Sequence, residues 1–132
     1  MSISKRVLDV GNCGPDFGSM SRFLTKNFAV TVEQAHSPAD TLEKLRGGEY
    51  ALVLINRKLD QDYSDGTEIL KLIKADTSLA GTPVMIITNY AEHQDAAVAL
   101  GAERGFGKLQ YGEPETLEKL KPFLGESAGV RS

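Results

Sequence analysis

The chain has 132 residues, with 18 acidic and 15 basic side chains and a formal net charge of −3. An acidic excess excludes a general nucleic-acid binder, whose contact face must be basic. A single cysteine excludes a disulfide framework or a thiolate metal site, and no apolar run approaches the roughly 20 residues that cross a bilayer.

Hydrophobic content of 41% and charged content of 25% fit one globular domain. The N-terminus runs straight into a strand without a long apolar leader, so the default expectation is a cytoplasmic protein. Residues 1–125 are expected to form the domain, with 126–132 a flexible tail.

Val7, Leu8, Asp9 and Val10 read as a short strand, followed by the breaker-rich loop Gly11-Asn12-Cys13-Gly14-Pro15. Met20, Phe23 and Leu24 give the next helix its inward face, from about 16 or 19 to 26. Residues 29–33 form a second strand. Ser37-Pro38-Ala39-Asp40 is a helix start: Ser37 caps, Pro38 suits the first helical position, and Asp40 stands three residues after the cap. Leu42 and Leu45 are that helix's buried stripe, and Gly47-Gly48 ends it.

The run Ala51-Leu52-Val53-Leu54-Ile55 is too short for a helix and does not alternate. It reads as a strand covered on both faces, as in a parallel sheet between helices. It stops at Asn56, and a loop rich in aspartate ends in Asp65-Gly66. Residues 67–74 form a third helix with Ile69, Leu70 and Ile73 inward. Val84 to Ile87 is another buried strand, ending at Thr88-Asn89. Residues 91–100 form a fourth helix closed by Gly101. Residues 104–107 are a weak fifth strand. Glu113-Pro114 opens a last helix carrying Leu117 and Leu120, which Pro122 should end or kink.

Strand then helix, five times over, is a doubly wound α/β sandwich. Ligands of such sheets bind where strands end at their carboxyl edge. That edge collects Gly11, Asn12, Asn56, Thr88 and Lys108.

The stretches YALVLIN with Asp65-Gly66, LAGTPVMIIT and AVALGAERGFGK resemble the receiver domain of bacterial two-component response regulators, over residues 5–124. The resemblance implies a flavodoxin-like, five-stranded parallel sheet in the order 2-1-3-4-5 with five helices. It implies an acidic pair holding Mg²⁺ after the first strand, a phosphoryl-accepting Asp after the third, and a Thr and a Lys contacting the phosphoryl group. Thr88 and Lys108 match. Gly11 and Asn12 stand in place of the acidic pair, and Asn56 in place of the acceptor. Leu109 replaces the usual proline, and Gly105 stands where the family's switch aromatic is expected, beside Phe106.

An acceptor must be an anionic oxygen nucleophile, and Mg²⁺ wants hard, preferably charged oxygen ligands. A neutral Asn56 and Asn12 serve neither role. The expectation is a pseudo-receiver: not an enzyme, with no cofactor and weak or absent Mg²⁺ binding, that signals by protein–protein contact. Its partner is a signalling protein or another domain of the same chain, not nucleic acid or membrane. By resemblance the partner surface is the fourth helix, fifth strand and fifth helix, with His93, Gln94, Phe106 and Lys119. Homodimerisation through that face is the alternative there.

Two other readings stand beside it. Asp60 or Asp62 is a substitute acceptor, or the cluster Asp60, Asp62 and Asp65 is a solvated turn. The opening VLDVGNCGPD also looks like the glycine-rich motif of S-adenosylmethionine-dependent methyltransferases, with Glu33 as the ribose-holding acid. Asp9 interrupts a buried strand and must be paired, hydrogen-bonded or neutralised; it reads as pairing with a neighbouring base or lying near a solvated edge, with a stand-in metal ligand as the other reading. Cys13 lacks a neighbouring base and reads as an inert thiol. His36 and His93 lack ligand spacing. Lys108 reads either as an anion contact or as an exposed lysine without its acidic partners.

Overall fold

In a computed structural model, residues 5–125 are described. The expected tail at 126–132 lies outside them. The elements are β1 (Lys5–Val10), α1 (Gly14–Asn27), β2 (Val30–Ala35), α2 (Pro38–Gly47), β3 (Leu52–Asn56), α3 (Thr67–Ala75), β4 (Val84–Ile87), α4 (Ala91–Ala99), a short 3-10 turn (Lys108–Gln110) and α5 (Pro114–Leu124).

The sheet is parallel, in the order β2-β1-β3-β4. Alternation along each strand divides the core in two. Leu8, Val10, Val53, Ile55, Val84 and Ile86 pack under Leu45 of α2, Ile69, Leu70 and Ile73 of α3, and Ala97 of α4. Val7, Leu52, Leu54, Met85 and Ile87 pack under Met20, Phe23 and Leu24 of α1 and Leu120 and Leu124 of α5. Both faces of the sheet are thus covered, which is why the strands read as unbroken apolar runs.

Local signals are met where the sequence placed them. Ser37 and Asp40 form a reciprocal capping box at α2. Pro122 lies inside α5, which runs on to Leu124. The expected break is absent because a proline in the last turn forfeits only one intrahelical bond.

The fifth strand is the main departure. Only one bridge, Met85 to Glu103, joins that segment to β4. The Glu103 N–H donates to the Val84 carbonyl at 2.8 Å and the Thr88 N–H to the Phe106 carbonyl at 3.1 Å. Between them a side chain replaces the ladder. Gln94 of α4 donates from Nε2 to the carbonyls of Ile86 (3.0 Å) and Thr88 (3.2 Å) and accepts the Gly105 N–H on Oε1 at 2.7 Å. A Cβ at residue 105 would lie 2.7 Å from the Ile86 carbonyl oxygen, so glycine is needed for this close approach.

Candidate functional site at the carboxyl edge

The chain ends of β1, β3 and β4 meet as expected, and their polar groups divide into two sets. On the β1–β3 side, Gly11 has φ +85°, and a Cβ there would lie 2.6 Å from Leu59 Cδ2. Its carbonyl accepts the Asp60 N–H at 3.0 Å. Asn12 is folded inward and only 1% exposed. Its Nδ2 donates to both oxygens of Asp9, at 2.8 and 3.0 Å, while its Oδ1 has no partner. Asn56 Nδ2 donates to the Lys58 carbonyl at 2.6 Å and the Gly11 carbonyl at 3.4 Å. Only an NH₂ can face two carbonyls, so the orientation of this amide is fixed.

Asp9 lies in the middle of the sheet, in register with Gln34 of β2 and Leu54 of β3, and is fully buried. Burial pushes its carboxyl up to about 7; the Asn12 hydrogen bond and the Lys108 charge pull it back, and Asp16 pushes it up. The expected base partner or solvated edge is corrected: Asp9 is fully buried, makes no ion pair among the described residues, and is hydrogen-bonded by the Asn12 amide instead.

On the β4 side, Thr88 Oγ1 lies 3.2 Å from His93 Nδ1 and accepts the Tyr90 N–H at 3.3 Å. Lys108 Nζ bonds Asp16 of α1 at 3.0 Å. The expectation of a lysine without an acidic partner is therefore corrected: the first turn of α1 supplies one. This bond holds the Asp16 carboxyl below its ordinary range. Arg57 approaches Asp65 at 3.7 Å, beyond hydrogen-bond range. Asp65 is occupied by the N–H and hydroxyl of Thr67, at 2.9 and 2.7 Å. Lys58 is exposed.

These residues enclose a cavity of about 260 Å³ lined by Asn56, Arg57, Lys58, Ile87, Thr88, Asn89, Tyr90, His93 and Lys108. Three lysine or arginine side chains line it and no carboxylate does. Sequence reasoning placed Asn56, Thr88 and Lys108 here but missed Arg57, Lys58, Asn89 and Asp16. The dipeptide Arg57-Lys58 directly after the strand end was the available signal.

Other expectations change. Gln94 and Phe106, assigned to a partner surface, are buried, at 5% and 0% exposure. Gln94 is consumed by the β4 carbonyls, and Phe106 packs toward Phe23 and Tyr111, with ring centroids 6.1 and 6.3 Å away. His93 is half-buried beside Thr88, and Lys119 Nζ donates to the Gly105 carbonyl at 3.2 Å. Asp60 turns toward His36 at 3.5 Å, and Asp62 accepts the N–H and hydroxyl of Ser64. Neither lines the cavity with Thr88 and Lys108. Cys13 is exposed at the start of α1.

The methyltransferase reading finds no support. Glu33 sits mid-strand, bonded to Arg6 at 2.9 Å and to the Tyr50 hydroxyl at 2.7 Å. The glycine loop packs on Leu59 instead of opening a cofactor cleft. Among the described residues no helix is long and apolar enough to cross a membrane, and no three His, Cys, Asp or Glu side chains gather as a metal would need.

A two-faced parallel sheet with polar residues at its carboxyl edge defines a doubly wound module of the flavodoxin-like class. The chain belongs to the response regulator receiver domain family, whose model matches residues 17–106. It is accordingly a receiver-domain module of two-component signalling. The chemotaxis response regulator CheY4 of Vibrio cholerae superposes with a TM-score of 0.72 at 21% identity, covering 92% of this chain and 100% of that one. The receiver domain of the DNA-binding response regulator merR from Colwellia psychrerythraea 34H gives 0.67 at 24% identity, covering 80% and 87%. The Mn²⁺-bound form of response regulator Rcp1 gives 0.63 at 20% identity, covering 90% and 93%.

Proposed function

We propose that this receiver does not accept a phosphoryl group at the usual position and signals through constitutive contact with a protein partner or a neighbouring domain. The observation that carries this reading is the Asn56 amide. It occupies the acceptor position as an N–H donor, held by the Lys58 and Gly11 carbonyls, where a nucleophilic oxygen anion would be required. Gly11 supports it. Its left-handed φ and the packing of Leu59 disfavour any side chain there, let alone a carboxylate ligand.

The donor set does not fit a divalent cation. Gly11 offers no side chain, the Asn12 oxygen is buried, and Asp9 is bonded to the Asn12 amide in the core. Mn²⁺ is bound by Rcp1; this chain lacks charged oxygens at the matching strand ends.

The Gln94 clamp is consistent with a fixed output face. Where the family's switch aromatic is expected, Gly105 is bonded to Gln94, and Phe106 is buried. Exposed residues on that face include Asp95, Val98, Leu100, Arg104 and Glu118. Partner binding or self-association through them is the expected output.

The test is a backbone amide NMR titration with Mg²⁺ and then beryllofluoride, which mimics a phosphoryl group on an aspartate. Unmoved signals at Gly11, Asn12, Asn56, Thr88 and Lys108 are expected. Saturable shifts in that cluster would show that a carboxylate has taken over and would sink the reading.

A further inference from the structure

With Asn56 in place of an acceptor carboxylate, the cavity is lined by three basic side chains, one of which has no ion-pair partner among the described residues. Lys58 is exposed and makes no ion pair among the described residues. Arg57 lies 3.7 Å from Asp65 Oδ2, a long ion pair, while Asp65 Oδ1 accepts both bonds from Thr67. Lys108 shares its charge with Asp16 at the cavity wall. Thr88 adds a hydroxyl, 92% buried by position but open toward the cavity it lines. A cavity of about 260 Å³ admits one side chain and not a folded element.

The mouth is of different character. Tyr90 is 61% exposed, with the His93 ring 5.4 Å away, and Leu109 is 83% exposed. Leu109 is held in place by its N–H, which donates to Asn89 Oδ1 at 3.1 Å. Tyr90 lines the cavity, and Leu109 follows Lys108 in sequence and bonds Asn89 of the lining; large exposed side chains beside a small cationic hole suit a protein surface that brings apolar residues next to an anion. A free ion would gain nothing from them.

We propose that this cavity receives the carboxylate of an Asp or Glu side chain presented by a protein partner, with Tyr90 and Leu109 holding the residues that flank it. The partner's acid then takes the charge-balancing place that Asn56 leaves empty of charge. Lys58 and Arg57 supply the attraction, and Thr88 supplies a hydroxyl donor. The inference rests on Asn56 being no acceptor, since a phosphoryl group formed there would use the same cations.

The experiment selects a phage-displayed random peptide library on the intact chain, with the Lys58→Glu variant as counter-selection. Lys58 is exposed and unpaired, so this variant keeps the fold, which an amide spectrum checks. Enriched peptides are expected to share an Asp or Glu between apolar residues. Replacing that acid by its amide, or Lys58 by Glu, should weaken binding about tenfold or more. The bound peptide should shift the Arg57, Thr88 and Lys108 amides. Peptides without a shared acid, binding that survives Lys58→Glu, shifts confined elsewhere, or no enrichment would each overturn the proposal. A beryllofluoride response at Thr88 and Lys108 would instead overturn the reading beneath it.

Discussion

The two halves of the carboxyl edge differ in how their polar groups are satisfied. In one, the amides are neutral and turned inward: Asn12 onto Asp9, and Asn56, the last residue of β3, onto two backbone carbonyls. Where β4 ends, Thr88, His93, Lys108, Arg57 and Lys58 surround open space. The two halves thus satisfy their polar groups differently. In the first half the chain supplied its own partners and closed the gap. In the second, Lys108 and Arg57 face Asp16 and Asp65, and exposed Lys58 makes no ion pair among the described residues.

The closed half can be broken most strongly through Asp9. Unfolded, its carboxyl titrates near 3.8; folded, near 7. Below the lower value it is protonated in both states and the fold carries no penalty. As pH rises through the upper value that advantage is lost, because the unfolded chain releases the proton first. The Asp9 contribution to stability should therefore fall between about pH 4 and pH 7. Asp9→Asn should flatten that slope and gain up to about 4 kcal/mol at pH 8. Urea unfolding at pH 3, 5 and 8 measures this; an unchanged slope would mean Asp9 does not stay protonated in the fold.

The open half depends on Gln94. Gln94→Leu keeps the volume roughly but strands the Ile86 and Thr88 carbonyls and the Gly105 N–H. A loss of roughly 3 kcal/mol is expected in the same unfolding experiment.

A carboxylate at residue 56 sharpens the contrast. Asn56→Asp sets a carboxylate against the Lys58 and Gly11 carbonyls, so a loss of about 1–2 kcal/mol is expected at pH 7. It should still show no beryllofluoride response, because Gly11 and Asn12 remain. A gain in stability together with Mg²⁺-dependent shifts would reverse the assignment of this half.

The smallest effect belongs to Lys108→Ala. Its bond to Asp16 is partly exposed, so less than about 1 kcal/mol is at stake. The Asp9 titration should nevertheless move upward, since the Lys108 charge pulls it down. A carboxyl-carbon NMR titration reads that shift directly.

Much of this fold was legible because its signals are local. The Ser37 cap, the unbroken run at Leu52 to Ile55, and the inward stripes at Ile69, Leu70 and Ile73 each declare themselves within a few residues. The fifth strand was not, because what replaces it comes from eleven residues earlier. Nothing around Gly105 announces that Gln94 will reach its N–H. The partner of Lys108 was hidden for the same reason, as Asp16 lies 92 residues away. Charge at the site was half legible. The missing carboxylates are visible in sequence, but the orientation of the Asn56 amide is a matter of three dimensions.

The Gln94 clamp also bears on how copies of this protein meet. β4 is the last regular strand of its sheet, a row of backbone groups on which a foreign strand could otherwise build. Glu103 and Phe106 take part of that row, and the Gln94 amide takes the Ile86 and Thr88 carbonyls. Strand-on-strand growth from this side is blocked, so association here must go through side chains, which sequence can make selective. One glutamine therefore serves as a guard against aggregation, and its loss should be visible as turbidity on warming.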